Sequence, residues 1–304
     1  MSSGKNDFRP ALSIVGSPTK RETLLELAVE AERRGFDGIA CPSLGAAVAM
    51  CVSLAHVTSS INFWTSIQPI YYSHPVESAN TAAHIHELSH GRFAFGIGVS
   101  HGPVTKRLGV QTGKPLEDVA NYVAAMKGAE RFSGVLPPIL LATLRDKMLG
   151  VATEIADGAI WANASLRDIG RQVAIARSAR PTGFQLANMI PTVISDDIDA
   201  ARAVNRKTMM GYVSLPNYRN YWRQAGFVEE MDRIETALAT KDDAMIKSAM
   251  SNEWLDDCTI SGDASRVREQ LQRWSEHGVQ PIAVMSSTRG GQMAAINELF
   301  AIFA

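Results

Sequence analysis

Apolar residues fall into two recurring patterns along the chain: short continuous runs rich in β-forming side chains, and longer stretches in which they return every three or four positions. The first run is Ala11–Gly16. Behind it Thr19–Glu22 reads as a capping box, and Leu24, Leu27, Ala28 and Ala31 line one helix face up to Gly35. Further runs predict strands at Gly38–Pro42, Asn62–Ile67, Phe93–Val99, Pro138–Thr143, Gly158–Asn163, Ala187–Ser195 and Pro281–Ser286, eight in all. Helical spacing fills the intervals at 45–59, Val76–Ser89, Pro115–Phe132, Lys147–Ala156, Leu166–Ala179 and Ser265–His277. The strands are apolar throughout rather than alternating, as strands buried on both faces must be. Eight β/α units favour a closed TIM-type (β/α)8 barrel over an open doubly wound sheet, in one domain spanning residues 1–304. The interval 196–280 exceeds what a crossover needs, and carries helical patterns at Asp196–Met210, Tyr218–Thr240 and Asp242–Asp256. It predicts a helical insertion, about 196–260, between strands seven and eight, on the carboxyl-terminal face.

Composition narrows the function classes. Hydrophobic residues make up 46% and charged residues 20%, enough apolar surface for a large core. Thirty Lys plus Arg against 31 Asp plus Glu leaves a formal charge of −1, so nucleic acid or an anionic membrane has no electrostatic hold on the chain. No apolar run approaches the roughly 20 residues of a membrane span. The start, Met1–Asp7, lacks the apolar stretch of a signal peptide, so a cytoplasmic location is expected. Cys41, Cys51 and Cys258 are too few and too scattered for a disulfide framework or a zinc knuckle, and read as buried small hydrophobes.

Two familiar motifs are weak here. His86–His90 matches H-E-x-x-H, but Gly91 and Arg92 stop the helix and a strand follows, so no metal is expected. Gly96, Gly98 and Gly102 hint at a dinucleotide fingerprint, yet His101 stands at the third glycine position and the first two glycines lie inside a strand. They are read instead as letting a flat ligand approach the strand end. No G-x-S-x-G elbow or Walker sequence occurs.

In combination, Leu27–Asp37, Ser73–Pro75, Leu88–Gly98, Pro138–Ala142 and Ala156–Ala159 carry a more specific signal. With these pieces the chain resembles the bacterial luciferase-like flavin-dependent oxidoreductase superfamily. Gly98–Gly102 and Leu215–Trp222 are most similar to a group of oxidoreductases using the deazaflavin coenzyme F-420. The resemblance implies the same barrel and insertion, hydride transfer between coenzyme F-420 and a small organic molecule, and a homodimer paired through outer helices. The alternatives are an FMN-dependent monooxygenase and a barrel that binds a flavin without catalysis.

The resemblance also places the site at the carboxyl-terminal ends of the strands. Thr65, Ser66 and Ile67 match a bulge containing a cis peptide that supports the cofactor's central ring, so Ser66, Ile67 and the following Gln68 are expected to contact it. Gly98, Val99 and Ser100 at the fourth strand, and Ala142, Thr143 and Arg145 at the fifth, complete the cofactor contacts. Departures from the family pattern are equally informative. Ser43 and Leu44 replace an Asp-His pair, His101 replaces a Glu, and Leu144 and Arg145 replace a Gly-Gly at the phosphate end. Arg145 or Lys147 is read either as a phosphate partner or as a solvated helix start. His101 is the expected catalytic residue, either as an acid–base group with an ordinary pKa near 6.5 or as a structural hydrogen-bonding group. His74 reads as structural. Asn217, Tyr218, Arg219, Tyr221 and Trp222 form either a lid over an aromatic ligand or a helix-packing cluster.

Overall fold

The computed structural model describes residues 8–304; the leading Met1–Asp7, read above for a targeting signal, lies outside them. Eight strands form the barrel: β1 (Ala11–Ser13), β2 (Gly38–Cys41), β3 (Phe63–Thr65), β4 (Phe93–Gly98), β5 (Ile139–Ala142), β6 (Gly158–Ala162), β7 (Gln185–Ile194) and β8 (Gln280–Ser286). Every neighbouring pair is parallel, and β8 pairs with both β7 and β1, which closes the sheet. Two short strands lie outside this count, Gln68–Pro69 against the end of β4 and Ile260–Gly262 against the end of β7. A helix follows every strand, and Gln292–Ile302, which the periodicity did not single out, supplies the last one. The chain is therefore the (β/α)8 barrel expected.

One side chain from each strand fills the barrel: Ala11, Ala40, Trp64, Ala94, Leu140, Ile160, Ala187 and Ile282 form a single buried cluster. Four alanines leave the volume that one indole takes, so large and small side chains interdigitate at interior density. The indole's far edge lies over Gly38, where any Cβ would collide with it. A second, larger apolar layer lies between the strands and the helices around them, with Leu12, Ile39, Phe63, Phe93, Leu141, Trp161 and Ile190 facing outward into it.

Local readings are corrected in several places. Thr19 does not cap the first helix: it sits at φ 65°, Lys20 is the N-cap residue, and no side-chain cap bond forms over Arg21–Arg33. The predicted helix 218–240 is two, Pro216–Gln224 and Val228–Thr240, broken where Gly226 takes φ 101°. Similarly, 242–256 divides into Asp243–Ala249 and Asn252–Cys258. Helix Pro75–Leu88 stops short of His90, whose φ of 54° takes it off the helical path, so His86 and His90 do not share a helix face. The glycines of β4 are required by strand packing as well. A Cβ on Gly96 would collide with the carbonyl oxygen of Thr65, and one on Gly98 would lie 2.7 Å from the Ala142 Cβ and 3.2 Å from Ile67.

These contacts make a paired prediction. Gly96→Ala forces β3 and β4 apart and is expected to destabilise the chain by about 3 kcal/mol, at the upper end for overpacking. Gly128→Ala, in the helix Pro115–Ser133 where an added methyl meets nothing within 4 Å, is expected to stabilise by about 0.5–1 kcal/mol. Urea unfolding of the two variants checks both signs.

Candidate active site

Because strand side chains alternate, the residues two positions beyond the buried ring also face inward, now at the mouth: Ser13, Pro42, Gly96, Ala142, Ala162, Met189 and Val284. At β3 the alternation is interrupted by a cis peptide between Ser66 and Ile67, at the position the resemblance indicated. Ile67 packs on the interior cluster together with Met189. The Ser66 hydroxyl lies 2.9 Å from the Met189 sulfur on β7, so the two side chains span the barrel and floor the mouth. Pairing of Gln68 with Ile97 and of Pro69 with Gly98 sets the bulge against β4. Ile67, Gly98 and Ala142 thereby form a narrow apolar shelf from three successive strands, with no side chain rising from Gly98.

Past the shelf, Ser100 takes φ 63°, and His101 follows as the residue preceding the short helix Gly102–Arg107. Val99, Ser100 and His101 are half-buried. Both imidazole nitrogens of His101 lack hydrogen-bond partners among the described residues, and the ring lies 5.8 Å from that of Tyr218. Burial pushes its pKa below the ordinary 6.5. The expectation of an ordinary value is thus corrected: desolvation penalises the imidazolium, and the ring is neutral at pH 7.

The fifth strand ends in Ala142 on the shelf and Thr143, whose hydroxyl is buried without a partner. Arg145 is exposed, its side chain makes no ion pair or hydrogen bond among the described residues, and it precedes helix Asp146–Ile155, which no side chain caps. The next helix, Leu166–Ala179, differs. Its amino-terminal end holds the Asp257 carboxylate, which accepts from the Ser165 hydroxyl and, at 2.9 Å, from the Arg167 N–H. Burial raises the Asp257 pKa, opposed by those two donors. Of the two helix ends beside the mouth, one is already filled by a carboxylate from the insertion and the other is open.

The insertion packs against the mouth through the cluster flagged in the sequence. Tyr221 and Trp222 are fully buried; the Tyr221 hydroxyl accepts from the Ser165 N–H at 2.8 Å, and the Trp222 indole donates to the Asn163 carbonyl at 3.2 Å. Arg219 donates to the Val213 carbonyl at 2.8 Å and pairs with Glu235. The packing reading therefore holds for these three, whereas Tyr218 faces His101 and Asn217 is exposed. His74 is structural, its Nδ1 accepting from the Val76 N–H at the start of helix Pro75–Leu88. Ser43 and Leu44 stand at the carboxyl end of β2, with Leu44 84% exposed, and bring no ionisable group. Sequence reasoning missed Met189 and Asp257. Nothing local signals either one, because their partners lie on distant segments.

A cavity of about 710 Å³ opens at the opposite end of the barrel, between Phe63, Trp64, Arg92 and Gln280. It is not read as the reaction centre. The Arg92 guanidinium is spent on the Ala55, Thr58, Ile61 and Ser89 carbonyls and the Thr58 hydroxyl, and Asp37 accepts from Gln280, bonds that hold the closed end together.

Comparison with known proteins identifies the class. Residues 8–281 match the luciferase-like monooxygenase family, to which the chain belongs, and the protein is an oxidoreductase. It is 23% identical to a 5,10-methylenetetrahydromethanopterin reductase of Archaeoglobus fulgidus, covering 78% of this chain and 80% of that one. With a Mycobacterium tuberculosis protein named as a coenzyme F420-dependent oxidoreductase it shares 24% identity over 86% of this chain and 90% of the relative. The fold also matches the coenzyme F420-dependent tetrahydromethanopterin reductase of Methanopyrus kandleri, with a TM-score of 0.69 at 15% identity over 96% and 97% of the two chains. No helix among the described residues is long and apolar enough to cross a membrane.

The lowered pKa of His101 has a stability consequence with a definite sign. Between its folded value and 6.5 the unfolded chain binds more protons, so the contribution of the neutral ring is complete above pH 6.5 and is lost as pH falls through the folded value. An NMR titration is expected to show the His101 ring protonating only below 6.5.

Proposed function

We propose that this chain transfers a hydride between the deazaflavin coenzyme F-420 and a small organic substrate at the mouth of the barrel. The observation that carries this reading is the apolar shelf of Ile67, Gly98 and Ala142, with the half-buried His101 three residues beyond Gly98 at the same strand end. Such a shelf accepts a flat ring and leaves the neighbouring imidazole free to handle a proton. Ser66, Gln68, Ser100 and Thr143 are proposed as further contacts and Arg145, beside an uncapped helix start, as the phosphate partner, whereas Val99, also expected to contact the cofactor, packs against the apolar layer outside the strands. Two similarities point to the deazaflavin, the Mycobacterium tuberculosis relative and a solved F420-dependent secondary alcohol dehydrogenase (TM-score 0.68, 15% identity, 98% and 100% of the chains).

When bound, a deazaflavin supplies a carbon that gives or takes hydride without activating oxygen. The chain's part is to seat the ring on the shelf, hold the phosphate end at Arg145, and take or return a proton at His101. A neutral imidazole at pH 7 is the form that accepts a proton, so oxidation of the substrate is expected to rise from acid pH with its midpoint below pH 6.5. We further propose cytoplasmic location and a homodimer, the latter read by light scattering at micromolar concentration.

Fluorescence titration of the purified protein with coenzyme F-420 and with FMN is expected to show the tighter binding for F-420. Binding of FMN alone moves the reading to a monooxygenase, and binding of neither refutes it. Arg145→Ala is expected to weaken cofactor binding by about tenfold, the worth of one charge-assisted hydrogen bond. His101→Gln should leave binding unchanged and slow turnover by about 10²- to 10⁴-fold; a loss of threefold or less makes His101 structural.

A further inference from the structure

In the helix Pro216–Gln224 the buried polar side chains have partners in the barrel or in the insertion itself, with one exception. Arg219, Tyr221 and Trp222 each have the partners described above. Tyr212, on the preceding helix, has the Asn163 amide beside its hydroxyl. Tyr218 is 5% exposed, packed between Tyr212 at 5.1 Å, Trp222 at 5.4 Å and His101 at 5.8 Å between ring centroids, yet its hydroxyl has no partner among the described residues. A phenol hydroxyl with no protein partner, on a ring otherwise buried among aromatic side chains, is left to donate to an arriving acceptor. Burial, with Tyr212 and Tyr221 nearby, keeps the phenol well above its ordinary pKa, so it acts as a donor and not as a base. The unpartnered imidazole of His101 stands against the same ring.

From this juxtaposition we propose that Tyr218 is a second catalytic residue, whose hydroxyl donates to the oxygen of the substrate, and that the substrate is an alcohol or its carbonyl counterpart on an apolar or aromatic carbon frame. The proposal rests on the hydride-transfer reading. In the oxidation direction the alcohol O–H proton passes to the neutral His101 ring. With an oxidised deazaflavin bound, the electron pair of the breaking C–H bond would leave to it as the C=O bond forms. Tyr218 stays protonated throughout and holds the oxygen. Its aromatic neighbours suit a carbon frame without charge.

The test pairs two probes that differ in one hydroxyl, 4-fluorobenzyl alcohol and 4-fluorotoluene, titrated by fluorine NMR into the F-420-loaded protein and its Tyr218→Phe variant. Phenylalanine keeps the ring packing, so unchanged F-420 fluorescence titration and melting temperature are expected. The alcohol should bind the variant about fivefold to tenfold more weakly, as loss of one hydrogen bond implies, while the toluene binds both alike. Equal loss for both probes, no loss for either, or failure of the wild type to bind the alcohol overturns the proposal. If the protein does not take up F-420, the hydride-transfer reading fails separately. The same two titrations on the unloaded protein then decide Tyr218 by the same outcomes.

Discussion

Everything at the mouth depends on how closely β3 and β4 approach. Thr65 donates its hydroxyl to the Gly96 carbonyl at 2.7 Å, while its own carbonyl occupies the place a Gly96 side chain would need. Only a strand without a Cβ at that position lets the bulge after Thr65 fold inward instead of out into the helix layer. Once it does, Ile67 is delivered beside Gly98 and Ala142, and the apolar shelf follows from the backbone. The indole of Trp64, one residue earlier, plugs the barrel beneath and gives the floor its rigidity.

The same economy of small residues explains what the sequence could and could not reveal. Barrel, strand order and insertion were legible because continuous apolar runs in phase with helices admit few other arrangements. Ser66, Ile67, Gly98 and His101 were legible as a constellation through resemblance alone; their periodicity says only that they end strands. What stayed hidden depends on side chains meeting from distant segments. Met189 crosses to Ser66, and Asp257 caps a helix that begins at Leu166. The strand contacts of the β4 glycines stayed hidden for a physical reason: glycine permits close approach, but the sequence does not say that a neighbouring strand does the approaching. Likewise the short Thr19–Glu22 pattern was outweighed by the left-handed turn at Thr19.

Docking of the insertion decides the electrostatics of the site. By filling the end of helix Leu166–Ala179 with the Asp257 carboxylate, it removes one of two places where a phosphate would be drawn, and leaves the end beside Arg145. The neighbouring network narrows the choice further. Arg171 is held between Asp146 and Asp168, and Arg167 pairs with Glu253, so these guanidinium groups are neutralised within the fold while that of Arg145 is not.

Packing of the insertion onto His101 has a chemical consequence as well. The Tyr218 ring lies against an imidazole whose burial lowers its pKa, so packing here bears on both the shape of the mouth and the protonation state. The resemblance implies a carboxylate at this position, and burial would push a carboxylic acid the opposite way, towards its neutral, proton-donating form. Substituting His for Glu in an apolar setting therefore exchanges a resident acid for a resident base at neutral pH. Ser43 and Leu44 bring no ionisable group to the end of β2, so under the proposed reading the proton-handling group is the imidazole at the end of β4.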